Sequence, residues 1–153
     1  MTQTASEVIR RLRGKTLVTA ESLTGGGIGA VLTAVPGASA VFKGGVISYC
    51  DEVKREVLGV SRQELETFGA VSAPVAKAMA QGARKLLDAD FAVSATGLAG
   101  PGGDEFGHEV GTVFIGFASD AGVLAKECHF DGSREEVRSQ TVEVALELIL
   151  EHV

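Results

Sequence analysis

The sequence predicts a three-layer α/β/α sandwich whose mostly parallel sheet carries an antiparallel edge hairpin. Three observations lead there. Apolar, strand-like runs at 15–20, 41–49 and 91–95 alternate with stretches of helical periodicity, the pattern of parallel strands joined by crossover helices. Two further runs, 112–119 and 123–130, are separated only by the turn Asp120-Ala121-Gly122, which makes them a hairpin. The 20 glycines gather where strand-like runs end, the position of ligand-binding loops in layered α/β proteins. At 153 residues, with no repeat and no linker composition, the chain reads as a single domain over 1–153.

The elements follow in order. Residues 7–13 form a short amphipathic helix ahead of the first buried strand, 15–20. Thr24 is placed to cap a helix whose Ile28, Val31, Leu32 and Val35 recur at i, i+3, i+4 and i+7 before Pro36-Gly37 stops it. After the second strand, Asp51 is placed to cap a short helix over 52–58, and Ser61 with Glu64 has capping-box spacing. Ser72 and Pro74 open a longer helix with Val75, Met79, Gly82, Ala83 and Leu86 on one buried face. The last helix starts at a second capping box, Ser133 with Glu136. It carries Val142, Leu146, Ile149 and Val153 on its core stripe and Glu143, Glu147 and Glu151 on its solvated side.

Composition removes several function classes. A formal charge of −6 disfavours a protein that wraps nucleic acid or lies on an anionic membrane, since both need net positive surface. No run approaches the ~18 apolar residues of a membrane span, and the first fifteen residues lack a signal-peptide core, so a cytoplasmic address is expected. Cys50 and Cys128 impose no disulfide framework. His108, His129 and His152 are scattered without ligand spacing, so no metal is expected.

Three loops are candidates for chemistry. Ser22-Leu23-Thr24-Gly25-Gly26-Gly27 joins a strand to a helix, and its unshielded amides suit a phosphate or carboxylate; the same glycines also serve close helix–sheet packing. Ser39, Tyr49 and Lys54 flank the second strand and its following helix. Were they to converge, a lysine made neutral by desolvation would deprotonate the serine with the tyrosine assisting; the alternative is a tyrosine that merely packs. Thr96-Gly97-Leu98-Ala99-Gly100-Pro101-Gly102-Gly103 offers amides and a hydroxyl to an oxyanion or a carboxamide, or is a glycine-rich surface connection. Cys50 is a weaker nucleophile candidate, with no histidine near it in sequence.

Four ordered blocks, Ala20-Glu21-Ser22-Leu23-Thr24-Gly25-Gly26, Gly45-Val46-Ile47-Ser48-Tyr49 with Lys54, Gly69-Ala70-Val71-Ser72, and Thr96-Gly97-Leu98-Ala99-Gly100-Pro101, resemble the signature of the CinA C-terminal domain family. The resemblance covers about 15–150. It implies the stand-alone form, without the molybdopterin-binding-like domain that precedes it in longer members. The implied activity is nicotinamide-nucleotide amidohydrolysis, in which nicotinamide mononucleotide and water give nicotinate mononucleotide and ammonia. Carried onto this chain, the resemblance puts the serine nucleophile on Ser39, the tyrosine on Tyr49 and the lysine base on Lys54. The resemblance also implicates Ser22, Thr96 and Arg138, with Arg134 a neighbouring option for the arginine; together with Thr24, Gly25, Gly26, Gly97 and Gly100 from the two glycine-rich loops they make up the expected substrate-binding residues. Asp51 stands where the family often has Asn, and Cys50 where Ser is frequent. No metal or organic cofactor is implied. The expected partners are a small nucleotide substrate and further copies of the chain, as a homodimer or higher homo-oligomer, with neither nucleic acid nor membrane. Two rivals compete: a non-catalytic nucleotide-binding or competence-related partner module, and a dinucleotide-dependent oxidoreductase built on Gly25-x-Gly27-x-x-Ala30.

Overall fold

The computed structural model describes residues 1–153. In chain order its elements are α1 (Thr2–Arg11), β1 (Leu17–Glu21), α2 (Gly27–Thr33), a 3₁₀ turn (Ala38–Ala40), β2 (Phe42–Ile47), α3 (Asp51–Glu56), α4 (Arg62–Phe68), α5 (Ala73–Leu86), β3 (Phe91–Gly97), β4 (Thr112–Ser119), β5 (Gly122–His129) and α6 (Arg134–Glu151). The five strands form one sheet in the order β2-β1-β3-β4-β5. β1 pairs in parallel with β2 and β3, while β4 runs against both β3 and β5. The expected three-layer α/β architecture with its antiparallel edge hairpin is therefore present.

Residue alternation sorts the strand side chains between two cores. Leu17, Val93, Val113, Ile115 and Phe117 face a layer built from α1, α2 and α6, where Val8, Ile28, Leu32, Leu146 and Ile149 are fully or almost fully buried. Val18, Ala20, Ala92 and Ala118 face the opposite layer, against Leu58, Leu65, Val75, Met79 and Ala83. With both faces covered, β1 has no solvated side, and every one of its five residues is buried. Small residues bring α5 close to the segment after α3 and to the sheet. A Cβ on Gly82 would overlap the Leu58 carbonyl, and one on Gly116 would sit 2.5 Å from the Ala76 carbonyl oxygen.

Local signals account for most boundaries. Ser61, Ser72 and Ser133 accept from the backbone N–H three residues on, as N-caps do, and Ser133 with Glu136 closes a full capping box. Two caps differ from expectation. Thr24 does not cap α2, because its hydroxyl donates to Glu21 instead, and Asp51 is the first helical residue of α3 behind Cys50. α1 begins five residues earlier than expected, at Thr2, because Ala5 joins Val8, Ile9 and Leu12 in a stripe buried near α6. Leu86, expected in the core, is 52% exposed at the end of α5. No helix is long and apolar enough to cross a membrane.

The parallel strands end on one rim. The connection after β1 leads to α2 on one face of the sheet, and the connection after β2 leads through α3 and α4 to α5 on the other. Such divergence opens a crevice at the carboxyl ends of the strands.

Candidate functional site

That crevice holds a cavity of about 680 Å³, within the size range of small-molecule sites. Its wall comes from the ends of β1 (Ser22, Leu23), β2 (Tyr49, with Asp51 and Lys54 from α3) and β3 (Thr96–Gly100), closed by the Gly69–Val71 segment and by Arg134.

Lys54 is the most unusual group on that wall. It is 1% exposed, and its Nζ has two polar partners, the Ser48 carbonyl oxygen at 2.6 Å and the Ser22 hydroxyl oxygen at 3.0 Å. Neither partner carries charge. Burial lowers the Lys54 pKa from its ordinary value, and the opposing influence of Asp51 and Cys50 is smaller. Nζ donates to both oxygens here; once neutral, the amine can keep its N–H bond to Ser48 and turn its lone pair to accept the Ser22 O–H. Ser22 itself is held from both sides. Its N–H donates to Ala95 in β3 at 2.9 Å, and its carbonyl accepts from Gly25 N–H at 3.1 Å. A serine hydroxyl on a tied backbone beside a desolvated amine has the arrangement a nucleophile and its base require.

The structure separates Ser39 from this pair. Ser39 lies in the 3₁₀ turn before β2, whereas Tyr49 and Lys54 follow it. The six residues of β2 span about 20 Å, so the two groups sit at opposite ends of the strand. Ser39 is exposed and borders a different recess, with Thr33, Val35 and Phe42. The expected convergence of Ser39 with Lys54 therefore does not occur within the chain, and the serine that meets Lys54 is Ser22. Tyr49 does reach the cavity, but it is 61% exposed and makes no bond to the amine. Its hydroxyl accepts from the Arg134 guanidinium at 2.9 Å, and the same guanidinium donates to the Gly100 carbonyl at 2.7 Å. The group that orients Lys54 is the Ser48 carbonyl.

The glycine-rich start of α2 is also arranged differently from expectation. Glu21, 2% exposed, accepts from the Thr24 hydroxyl at 2.7 Å and from the N–H groups of Ile28 at 2.8 Å and Gly29 at 3.1 Å. An internal carboxylate thus occupies the anion-binding end of the helix. Like charges exclude a phosphate from the same place. Thr24, Gly25 and Gly26 lie off the cavity wall; the two glycines have φ of +58° and +101°, and they turn the chain. The dinucleotide reading loses its phosphate cradle on the same ground.

Arg138 likewise lies behind the turn, where its Nε donates to Leu23 O at 3.0 Å and a terminal nitrogen to Thr24 O at 3.2 Å. The arginine on the cavity wall is Arg134, one helical turn earlier. Thr96, Gly97 and Gly100 do border the cavity, although the Thr96 hydroxyl is engaged in donating to Ala70 O at 2.8 Å, which ties the Gly69–Val71 wall to β3.

Sequence reasoning missed the capping role of Glu21 and the Ser48 carbonyl. The signal for Glu21 was present: a carboxylate at the end of an otherwise uncharged, buried strand needs donors, and the nearest are the amides of the next helix. The Ser48 carbonyl is backbone and leaves no mark in the sequence.

The fold and site together define a layered α/β protein with a lysine–serine pair at the sheet's carboxyl rim. The chain belongs to the CinA C-terminal domain family, whose model matches residues 1–153. It is 47% identical over 152 residues to a CinA-like protein of Thermosynechococcus vestitus, covering 95% of this chain and 36% of that protein. A CinA-like protein of Geobacter metallireducens is 47% identical over 137 residues, with 90% and 33% covered. The chain thus spans about a third of the length of the curated relatives it matches. Among solved structures it is similar to the competence/damage inducible protein CihA from Agrobacterium tumefaciens, with a TM-score of 0.94, 41% identity and 98% and 93% of the two chains covered. A competence-damaged protein (CinA) superfamily protein from Escherichia coli gives a TM-score of 0.97 at 34% identity, covering 99% and 90%.

Proposed function

We propose that this protein is an amidohydrolase that converts nicotinamide mononucleotide and water to nicotinate mononucleotide and ammonia, with Ser22 as nucleophile and Lys54 as base. The observation that carries this reading is the 3.0 Å contact between the buried Lys54 Nζ and the Ser22 hydroxyl on the wall of the cavity. Neutral Lys54 takes the Ser22 proton as the oxygen attacks the carboxamide carbon. The protonated amine then returns a proton to the leaving nitrogen, the C–N bond breaks and ammonia departs. Water attacks the remaining ester with Lys54 again as base, which frees Ser22 and the carboxylate product. None of these steps uses a metal.

Arg134, already at the cavity mouth, is the guanidinium placed to receive the 5′-phosphate, by exchanging its bond to the Tyr49 hydroxyl for a charge-assisted one. Asp51, Asp104 and Glu105 line the same cavity and favour the cationic pyridinium of an N-ribosylated nicotinamide over the neutral free base.

The test is ammonia release from nicotinamide mononucleotide, nicotinamide riboside and free nicotinamide. The mononucleotide is expected to be the best substrate and the free base the poorest. Arg134→Met is expected to raise KM for the mononucleotide about 10-fold or more while leaving the riboside unaffected. A wild-type protein that binds the mononucleotide but releases no ammonia would make it a non-catalytic binding module.

A further inference from the structure

The peptide groups of the Ser22 turn show an asymmetry that the proton-transfer pair does not explain. Three consecutive carbonyls are held: Ser22 O by Gly25 N–H at 3.1 Å, Leu23 O by Arg138 Nε at 3.0 Å, and Thr24 O by Gly27 N–H at 2.9 Å and an Arg138 terminal nitrogen at 3.2 Å. The Leu23 N–H, by contrast, donates to no acceptor in the protein. A trans peptide plane points its N–H opposite its carbonyl. Holding Ser22 O therefore fixes the direction of the Leu23 N–H, and holding Leu23 O fixes the next plane. Leu23, next in the chain to Ser22, lines the same cavity. A free amide on the residue after a nucleophile is suitably placed for the oxygen that becomes negative during attack.

We infer that Arg138 is a positioning residue rather than a ligand of the substrate: by clamping the Leu23 and Thr24 carbonyls it fixes the Gly25 N–H that holds Ser22 O, and through that peptide plane keeps the Leu23 N–H aimed at the tetrahedral oxyanion. This rests on Ser22 being the nucleophile. The guanidinium fork suits the task because two of its nitrogens reach two successive carbonyls at once, which a lysine ammonium cannot do with the same fixed geometry. Arg138 lies off the cavity wall, whereas Arg134 lies on it, so the two arginines of the first turns of α6 divide between holding the turn and meeting the phosphate.

The experiment compares wild type, Arg138→Met and Arg138→Lys by two readouts. In the first, ammonia release is followed from both nicotinamide mononucleotide and its riboside. A displaced oxyanion donor costs about 10²-fold in kcat, so both variants are expected to lose roughly that much on both substrates, with KM within about twofold of wild type. A loss confined to the mononucleotide and expressed in KM would make Arg138 a phosphate ligand and overturn the inference, as would an unchanged kcat. The second readout needs no substrate. Amide hydrogen exchange at Gly25 and Gly27 is expected to accelerate in both variants while β3 keeps its protection; unchanged exchange at those glycines overturns the clamp. A wild-type protein that releases no ammonia from either substrate defeats the hydrolase reading by itself, and the exchange measurement still decides the role of Arg138. Should Arg138→Met fail to fold, Arg138→Lys carries both readouts.

Discussion

A buried lysine held by two uncharged oxygens should reveal itself in stability as well as in turnover. Burial lowers the Lys54 pKa below its ordinary 10.5, so between the lowered value and 10.5 the unfolded chain carries one more proton at this site than the folded protein. Stability contributed by the site is therefore complete above 10.5, falls as pH falls through that window, and levels off below the lowered pKa. The slope inside the window approaches ~1.4 kcal/mol per pH unit. For a chain of this size that corresponds to about 3 to 5 °C in Tm per unit.

Lys54→Met keeps an unbranched stem of similar length and removes the titrating group. The other ionisable groups are shared, so they largely cancel in the difference between the two proteins. Thermal melts of both at intervals from pH 6 to 10 should show the wild type gaining on the variant as pH rises. Turnover should rise tenfold per unit over the acid range and reach a plateau at the same pH at which the stability difference starts to climb, because one proton governs both. Parallel melting curves, or a rate whose plateau does not coincide with the onset of the stability difference, would refute a neutral Lys54 as the base.

Further outcomes follow from the same geometry. Ser22→Ala should lower turnover by roughly 10⁴-fold to 10⁶-fold with the fold intact, while Ser39→Ala, exposed and at the far end of β2, should stay within about twofold; steady-state ammonia assays separate them. Glu21→Gln puts an amide group where the carboxylate accepts from two backbone N–H groups and the Thr24 hydroxyl, and should cost about 2 kcal/mol, or about 4 to 8 °C in Tm by calorimetry. Gly82→Ala would normally favour a helix interior by about 1 kcal/mol. Here the methyl meets the Leu58 carbonyl, so denaturant unfolding should instead show a loss of about 1 to 3 kcal/mol.

The fold was legible because its signals are local. The turn at Asp120-Ala121-Gly122 and the serine caps at 61, 72 and 133 act over two to four residues, and both sheet faces are apolar enough that strand runs stand out. The start of α1 was less clear, since only the buried Ala5 extends the stripe toward the N-terminus. The site was half legible. Lys54, Ser22, Tyr49, Thr96, Gly97 and Gly100 all meet at the cavity. What spacing could not convey was which serine faces the lysine: Ser39 is nearer to Lys54 in sequence, yet the whole of β2 lies between them, while the parallel pairing of β1 with β2 brings the end of β1, with Ser22, alongside Lys54. The two arginines were hard to tell apart for a related reason. One helical turn moves a side chain from the cavity mouth at Arg134 to the back of the Ser22 turn at Arg138, and only the packing of α6 against α2 decides which is which.

Identity of the acylated residue tests the central claim most directly. Acid-quenching the enzyme during turnover of nicotinamide mononucleotide, then fragmenting the peptide that spans both Ser22 and Ser39 in a mass spectrometer, should place the nicotinate mononucleotide ester on Ser22. The same ester found on Ser39, or on Cys50 in its own peptide, would contradict the account.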